Sequence, residues 1–320
     1  MTWRAGGGSR RTVPALAVGL AVSAALTLAI SPSADPVTPG APVGVATTAR
    51  AQPAPVAPAV LPGPAPIGPG VVTETAGAGL CTAGFVFTSG DRTFLAQAAH
   101  CGGTGDETET DGCTSAAVPI GTPVTVRGTD RAVSGTLAWS SWNTMQARGE
   151  RDADTCAYND LALVELPREA GSAVGAAVPF FGGPEQVRSG SPALGTPVFG
   201  LANPPDATGA RTVGARAGAI AGEVGGGWGH SVYSLVPGVA GESGSPLLDG
   251  EGRALGVLSS LSTTADRPSI EYTDLRRALD YAERTDGPPG LALAAGPPFT
   301  ATPSGVDPRA LAVPAGPGIG

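Results

Sequence analysis

Short apolar runs recur through the middle of the chain, and Gly, Pro, Asp or Asn residues bound most of them. Alternating or short continuous apolar segments of about four to eight residues are typical of β-strands, whereas helices repeat apolar residues about every 3.6 positions. Helical periodicity is nearly absent here, so the pattern predicts an all-β fold. The predicted strands cover residues 84–89, 92–97, 123–127, 132–140, 161–166, 197–201, 215–224, 231–236, 246–248 and 254–261.

A hairpin and one helix complete this prediction. The first two strands flank Gly90-Asp91, a dipeptide that favours a tight β-turn between paired strands. One segment, 272–284, has a convincing helical pattern near the end of the folded region. Its apolar stripe consists of Leu275, Leu279 and Ala282.

The N-terminal residues have the composition of an export signal. Three arginines precede the apolar run 13–30, and small residues follow it, which predicts a cleaved signal peptide over residues 1–34. An uncleaved anchor is the alternative, because the run is close to the shortest length that spans a bilayer. After cleavage we expect no membrane span.

Two further segments are poor in large side chains. Residues 35–74 are dominated by Pro, Ala, Val and Gly, and residues 286–320 repeat this composition. Such segments cannot bury enough apolar surface to offset the entropy of ordering their backbone. The sequence therefore predicts a disordered stalk or pro-segment over 35–74, a folded unit over 75–285 and a disordered tail over 286–320.

Charge and cysteine content narrow the classes of function. The formal net charge is −8 and the chain has no lysine, so the basic patch of a nucleic-acid-binding protein is missing and no nucleic-acid partner is expected. Four cysteines behind an export signal indicate two disulfides and a secreted or extracytoplasmic location. Three pairings are possible among Cys81, Cys101, Cys113 and Cys156. No Cys-x-x-Cys pair occurs, and neither a metal nor a cofactor is predicted.

Ser243 is a candidate nucleophile because glycines on both sides leave its hydroxyl accessible in the segment Gly241–Pro246. A serine hydroxyl needs an adjacent base to take its proton during attack. His100 is the candidate base, and Asp160, which precedes an apolar run, is the candidate carboxylate that orients the imidazole. These three residues are the predicted catalytic group.

Rival residues exist for two of these roles. Asp152 and Asp154 could orient an imidazole, but the segment 148–154 is rich in charges and typical of a solvated loop. His230 lies in a glycine-rich stretch without the alanine-rich setting of His100. We therefore expect His230 to be a surface or packing residue.

The order His, Asp, Ser and the motifs around these residues resemble the trypsin/chymotrypsin family of serine proteases, in particular its secreted bacterial, streptogrisin-like type. The resemblance implies two six-stranded antiparallel Greek-key β-barrels, over residues 75–182 and 183–285, with a C-terminal helix. It also implies an exported serine endopeptidase that forms an acyl-enzyme; we expect a monomer with a protein or peptide substrate. The likeness lies in Ala98-Ala99-His100-Cys101, Asn159-Asp160-Leu161-Ala162-Leu163 and Gly241–Pro246.

The resemblance assigns further residues. It pairs Cys101 with Cys81, which leaves Cys113 for Cys156. It makes the backbone amides of Gly241 and Ser243 the oxyanion hole. These roles are expectations from the resemblance and not from spacing.

By the same resemblance, the base of the primary specificity pocket would lie near Pro237, and its wall would include Ser259, Ser260 and Leu261. No acidic residue occurs at these positions, so a buried lysine or arginine of the substrate would lack a counter-charge. A small or apolar residue is therefore expected before the cleaved bond.

Two departures from the family pattern leave questions open. Glu242 stands where the family usually has aspartate, and Ser245 stands where it usually has a second glycine. In animal members that aspartate pairs with a newly cut N-terminus. The partner of Glu242 could be a terminus, an arginine or nothing.

Other functions also stay open. The motifs are compatible with a catalytically silent, protease-like binding or scaffold module of the cell envelope, or with an esterase that uses the same three residues. Asp106, Glu107, Glu109 and Asp111 could offer oxygen ligands to calcium. Their spacing matches no known loop, and a solvated loop is the simpler interpretation.

Overall fold

The computed structural model describes residues 65–106, 109–205, 209–262 and 269–301, together with the backbone of residues 313–314. Within these ranges the chain is mostly β, and its strands form two antiparallel sheets. The strands are β1 (Val72–Thr75), β2 (Leu80–Thr82), β3 (Val86–Ser89), β4 (Arg92–Gln97), β5 (Pro123–Arg127), β6 (Ala132–Ser140), β7 (Ala162–Glu165), β8 (Pro197–Ala202), β9 (Thr212–Val224), β10 (Gly229–Ser234), β11 (Pro246–Asp249), β12 (Ala254–Ser262), β13 (Ser269–Asp274), β14 (Ala292–Leu293) and β15 (Val313–Pro314).

The first sheet has eight strands in the order β14-β3-β4-β7-β6-β5-β1-β2. No pairing among the described strands joins β14 to β2, so this sheet is open, whereas the family resemblance implied a closed six-stranded barrel. Its two edge strands are short, with two residues in β14 and three in β2. The sequence pattern does not predict them, because so few residues carry no recognisable alternation.

The second sheet closes into a barrel. Its strands follow the order β10-β13-β12-β11-β8-β9, and β9 pairs again with β10 to complete the ring. This is the six-stranded antiparallel barrel that the family resemblance implied for the second half of the folded unit. Strand β15 adds to the outside of β9.

Three α-helices occur in the described residues: α1 (Ser141–Arg148), α2 (Ala153–Tyr158) and α3 (Leu275–Arg284). Helix α3 confirms the predicted C-terminal helix but begins three residues later. The Asp274 side chain accepts a hydrogen bond from the Arg277 N–H and caps the helix there. Helices α1 and α2 are too short for an apolar stripe to reveal them in the sequence.

One large core lies under both sheets. Phe87 and Leu163 of the first sheet belong to the same buried cluster as Leu248 and Val257 of the barrel and Leu275 of α3. Close packing in such a core resists sliding of one sheet against the other. The side chains at the junction of the sheets therefore keep defined relative positions.

Both disulfides form with the pairing that the resemblance implied. Cys81 bonds Cys101, and Cys113 bonds Cys156. The first bond ties the middle of β2 to the segment after β4. The second ties a long loop to α2, which leads directly to Asp160.

The folded unit extends beyond the predicted bounds of 75 and 285. Ile67, inside the expected stalk, is fully buried, and its N–H donates to the Ala173 carbonyl at 2.9 Å. In the expected tail, the Ala294 N–H donates to the Val86 carbonyl at 2.9 Å. Backbone hydrogen bonds hold these segments, and composition does not reveal such bonds.

The described part of the tail also makes an aromatic contact. The ring of Phe299 lies 5.5 Å from that of Phe199, centroid to centroid. No helix of the described residues is long and apolar enough to cross a membrane. The predicted signal peptide, residues 1–34, lies outside the described ranges.

Candidate active site

His100 and Asp160 lie side by side because their strands pair. His100 occupies a 3-10 turn, Ala99–Gly102, directly after β4, and Asp160 lies two residues before β7. Strands β4 and β7 are antiparallel neighbours, with Gln97 opposite Ala162. The end of β4 and the start of β7 therefore meet at one edge of the sheet.

Asp160 binds His100 through both carboxylate oxygens. Oδ2 lies 2.6 Å from Nδ1 of the imidazole, and Oδ1 accepts a 2.8 Å hydrogen bond from the His100 backbone N–H. The Asp160 side chain is only 5% exposed, whereas that of His100 is 29% exposed. Since Nδ1 is bound to the carboxylate, Nε2 is the nitrogen left for a reacting group.

The hydroxyl of Ser259 donates a further hydrogen bond of 2.6 Å to Oδ2 of Asp160. Ser259 belongs to β12, so this bond joins the barrel to the first sheet at the site. The family resemblance places Ser259 only in a pocket wall, and no local motif in the sequence connects Ser259 to Asp160. Three donors thus hold the buried carboxylate in place.

The charged forms of His100 and Asp160 stabilise each other. Burial disfavours both charged forms, but the mutual attraction and the hydrogen bond outweigh it. The pKa of Asp160 therefore lies below its ordinary 3.8, and the Ser259 hydroxyl adds to this lowering. The pKa of His100 lies above its ordinary 6.5. Above that raised value the pair is a neutral imidazole that faces a carboxylate.

His100, Asp160 and Ser243 line one cleft, with a volume of about 720 Å³. Ser243 lies in the turn that leads into β11. No hydrogen bond of the described residues joins the Ser243 hydroxyl to His100. Contacts between a nucleophile and its base are often long before substrate binds, so a missing hydrogen bond is compatible with catalysis.

The glycines beside Ser243 are required by the geometry of the turn. Gly241 and Gly244 have φ angles of +85° and +90°, a region that glycine adopts readily and other residues avoid. A Cβ on Gly244 would also overlap the carbonyl oxygen of Thr82. Gly244 therefore lets the turn lie directly against the first sheet.

The backbone groups of the turn fall into two sets. Each carbonyl from residue 240 to residue 243 accepts a hydrogen bond, whereas the N–H groups of Gly241 and Ser243 have no acceptor within the described part of the chain. Both residues line the cleft. Two free donors at a cleft can bind a negatively charged oxygen. The carbonyl contacts are Arg211 Nη2 to Ala240, Thr82 Oγ1 to Gly241, Ser245 N–H to Glu242 and Thr82 N–H to Ser243.

The carboxylate of Glu242 is buried under the turn, and Arg216 is its counter-charge. Nη2 of Arg216 lies 2.6 Å from Oε2, and the two side chains are 2% and 1% exposed. The backbone N–H groups of Asn203 and Val239 donate to the same carboxylate at 2.8 and 3.1 Å. The sequence leaves this partner open. Its one signal is that Arg216 is the only charged residue of the segment 212–222.

Leu261 lines the cleft and lies beside Gly238. A Cβ built on Gly238 would overlap Cδ2 of Leu261 and lie 3.3 Å from Cγ1 of Ile270. Ser259, Ser260 and Leu261 all line the cleft, as the expected pocket wall requires. The groups nearest to Gly238 are thus hydrocarbon.

Other residues from the sequence analysis lie elsewhere. Pro237 is not among the described residues that line the cleft, and its carbonyl accepts a 3.0 Å hydrogen bond from Arg216. His230 is fully buried, with Nε2 2.8 Å from Asp274, so it is a packing residue and not a surface one. Asp152 and Asp154 are exposed, as expected for this charged segment, and Asp152 caps helix α2.

The acidic loop borders the cleft on another side. Asp106 and Glu109 line it, and Asp111 accepts a 2.9 Å hydrogen bond from the Cys113 N–H. Glu107 lies outside the described residues. The contacts of this loop do not single out a calcium site.

The fold of this chain is similar to solved structures of bacterial proteases. No protein-family model matches the sequence, and no curated protein matches it significantly. Thermobifida fusca Protease A is 20% identical with a TM-score of 0.42, covering 73% of this chain and all of that one. Nocardiopsis Protease is 19% identical with a TM-score of 0.41, covering 71% and 98%. A Glu endopeptidase is 17% identical with a TM-score of 0.45, covering 67% and 90%. Similarity at this level concerns the fold alone.

The His100 and Asp160 pair can be tested without any assay of activity. Because the chain has only two histidines, NMR titration should resolve both imidazoles, and the His100→Ala variant assigns them. We expect the His100 pKa to lie above 6.5 in the native protein. Asp160→Asn removes the attraction that raises this pKa and should lower it. An unchanged His100 titration in Asp160→Asn would contradict the geometry.

The buried ion pair under the turn gives a stability prediction. Arg216→Met leaves the Glu242 charge buried without a partner, which should lower the free energy of unfolding by about 3–5 kcal/mol. Arg276→Met is the matched control, since its partner Asp280 lies on an exposed face of α3, and it should cost less than about 1 kcal/mol. Urea denaturation measures both. Equal losses would show that Arg216 does not compensate Glu242.

Proposed function

We propose that this protein is an exported serine endopeptidase in which Ser243 is the nucleophile, His100 the base and Asp160 the carboxylate that orients the base. One observation carries the proposal. The hydrogen-bonded pair of His100 and Asp160 shares its cleft with a serine turn whose free N–H groups can bind an oxyanion. The two disulfides fit an extracytoplasmic location.

The reaction would proceed through an acyl-enzyme. Ser243 Oγ attacks the peptide carbonyl carbon while its proton passes to Nε2 of His100. Asp160 holds the ring by Nδ1 and stabilises the imidazolium. The tetrahedral intermediate then expels the amine, which takes the proton from His100. Water hydrolyses the resulting ester with the same base.

The negative oxygen of the tetrahedral intermediate would bind the N–H groups of Gly241 and Ser243. N–H donors that already point toward the developing charge stabilise it without a free-energy cost for reorienting during the reaction. The hydrogen-bonded carbonyls of the turn support this role, since they keep acceptor oxygens out of the donor position.

The substrate residue before the cleaved bond should be small and uncharged. We place the site for this residue beside Leu261, which lines the cleft, and Leu261 and Ile270 are the side chains closest to Gly238. Hydrocarbon cannot compensate a buried positive charge, and the Leu261 side chain takes up space that a large residue would need. This supports the small or apolar preference.

A catalytically silent binding module is the second candidate. The observation in its favour is that Ser243 makes no hydrogen bond to His100 within the described part of the chain. Such a module would bind peptides in the same cleft without cleaving them. The reactivity of Ser243 separates the two functions.

The nucleophile assignment predicts covalent labelling at neutral pH. A fluorophosphonate probe should label the purified native protein, and Ser243→Ala should abolish the label and reduce peptide hydrolysis by about a million-fold. Ser245→Ala is the matched control, because Ser245 lies in the same turn but is buried, and it should keep the label. A native protein that resists the probe would support the silent module.

The pocket assignment predicts a change of specificity. Against a peptide library, the native protein should favour alanine-sized residues before the cleaved bond. Leu261→Gly opens the space beside Gly238 and should raise cleavage after phenylalanine relative to alanine by at least about 10-fold. Leu235→Gly, which removes an exposed leucine outside the cleft lining, should leave the ratio unchanged. A ratio that does not respond to Leu261→Gly would place the pocket elsewhere.

A further inference from the structure

The guanidinium of Arg211 lies directly against Gly241. A Cβ built on Gly241 would overlap Nη2 and lie 2.6 Å from Cζ of Arg211. Arg211 thus occupies the space of a side chain at that position. The glycine next to the nucleophile is therefore needed for this contact as well as for its positive φ.

Arg211 bridges two backbone carbonyls. Nη1 donates to the Asn203 carbonyl at 2.6 Å, and Nη2 donates to the Ala240 carbonyl at 3.3 Å. The Asn203 N–H in turn donates to Glu242. Arg211 therefore connects the loop that binds the buried carboxylate to the peptide just before Gly241.

Burial lowers the pKa of Arg211, and the nearby Glu242 carboxylate partly opposes that effect. An arginine side chain nevertheless stays protonated in proteins. The positive charge beside the turn is therefore permanent. Partial burial also strengthens its hydrogen bond to the Asn203 carbonyl.

The orientation of one peptide group links Arg211 to the cleft. The Ala240 carbonyl and the Gly241 N–H belong to the same planar trans peptide and point in opposite directions. A carbonyl held toward Arg211 therefore directs the Gly241 N–H to the opposite side. That N–H is one of the two free donors at the cleft. Rotation of this peptide would replace the donor with an acceptor oxygen.

We infer that Arg211 is a positioning residue that holds the Ala240–Gly241 peptide in the orientation needed to stabilise the oxyanion. The inference rests on the proposed protease function and deepens it. Arg211 acts through Gly241 and does not itself touch the reacting atoms. Its loss should therefore weaken the transition state more than the bound substrate.

The test is a kinetic comparison of Arg211→Met with the native protein. Loss of an oxyanion donor costs about 100- to 1000-fold in kcat, so loss of its support should cost about 10- to 100-fold, with KM changed less than about 2-fold. The inhibition constant of a peptide aldehyde, which forms a tetrahedral adduct with a nucleophilic serine, should rise in parallel with the loss of kcat. The inhibition constant of a cleavage-product peptide should not change.

Two variants control for charge and folding. Arg211→Lys keeps the charge but cannot bridge two carbonyls as a planar fork, so its kcat should lie between those of Arg211→Met and the native protein. Arg277→Met removes an arginine that donates to the Gly226 carbonyl, outside the cleft lining, and should keep native kcat. Thermal unfolding checks each variant. If Arg211→Met does not fold, the Arg211→Lys kinetics decide.

The outcomes separate the inference from the proposed function. Normal kcat and normal aldehyde inhibition in folded Arg211→Met, or in Arg211→Lys where only that variant folds, would overturn the role of Arg211 alone. A matching loss in Arg277→Met would do the same. A native protein that neither reacts with fluorophosphonate nor cleaves peptides would overturn the protease function, and the inference with it.

Discussion

The buried carboxylate of Glu242 is the constraint on which the candidate site depends. A carboxylate with almost no exposure is tolerated only where opposite charge and hydrogen bonds compensate it, and Arg216 with two backbone N–H groups does so here. The turn that carries Ser243 is built around that carboxylate. Since the counter-charge comes from β9 of the same barrel, the shape of the turn does not require a free chain terminus.

The site also depends on contacts between the open sheet and the barrel. Thr82 of the first sheet binds the carbonyls of Gly241 and Ser243, and Ser259 of the barrel binds Asp160. Each sheet thus makes hydrogen bonds that fix a part of the candidate site carried by the other sheet. The shared apolar core beneath them keeps these polar contacts in register. The shape of the cleft therefore depends on how the two sheets pack against each other.

The central strands and helix α3 could be predicted because their residues alternate or repeat at regular intervals. The first sheet does not close as expected, and short strands such as β2 and β14 carry no pattern of their own. The segments around Ile67 and Phe299 are poor in large side chains, so composition predicts disorder there. Their order comes from backbone hydrogen bonds and a few apolar contacts, which a count of residue types does not detect.

Local sequence patterns were enough to identify the candidate residues His100, Asp160 and Ser243, the four cysteines and the glycines around Ser243, whereas the pairing of the cysteines came from the family resemblance. Local motifs carry this information because the chemistry and the backbone conformation restrict which residues can stand there. Only the tertiary structure decided the partner of Glu242, the contact of Ser259 with Asp160 and the position of Arg211 behind Gly241. These pairs are far apart in the chain and are brought together by strand pairing and barrel closure, which no single segment encodes.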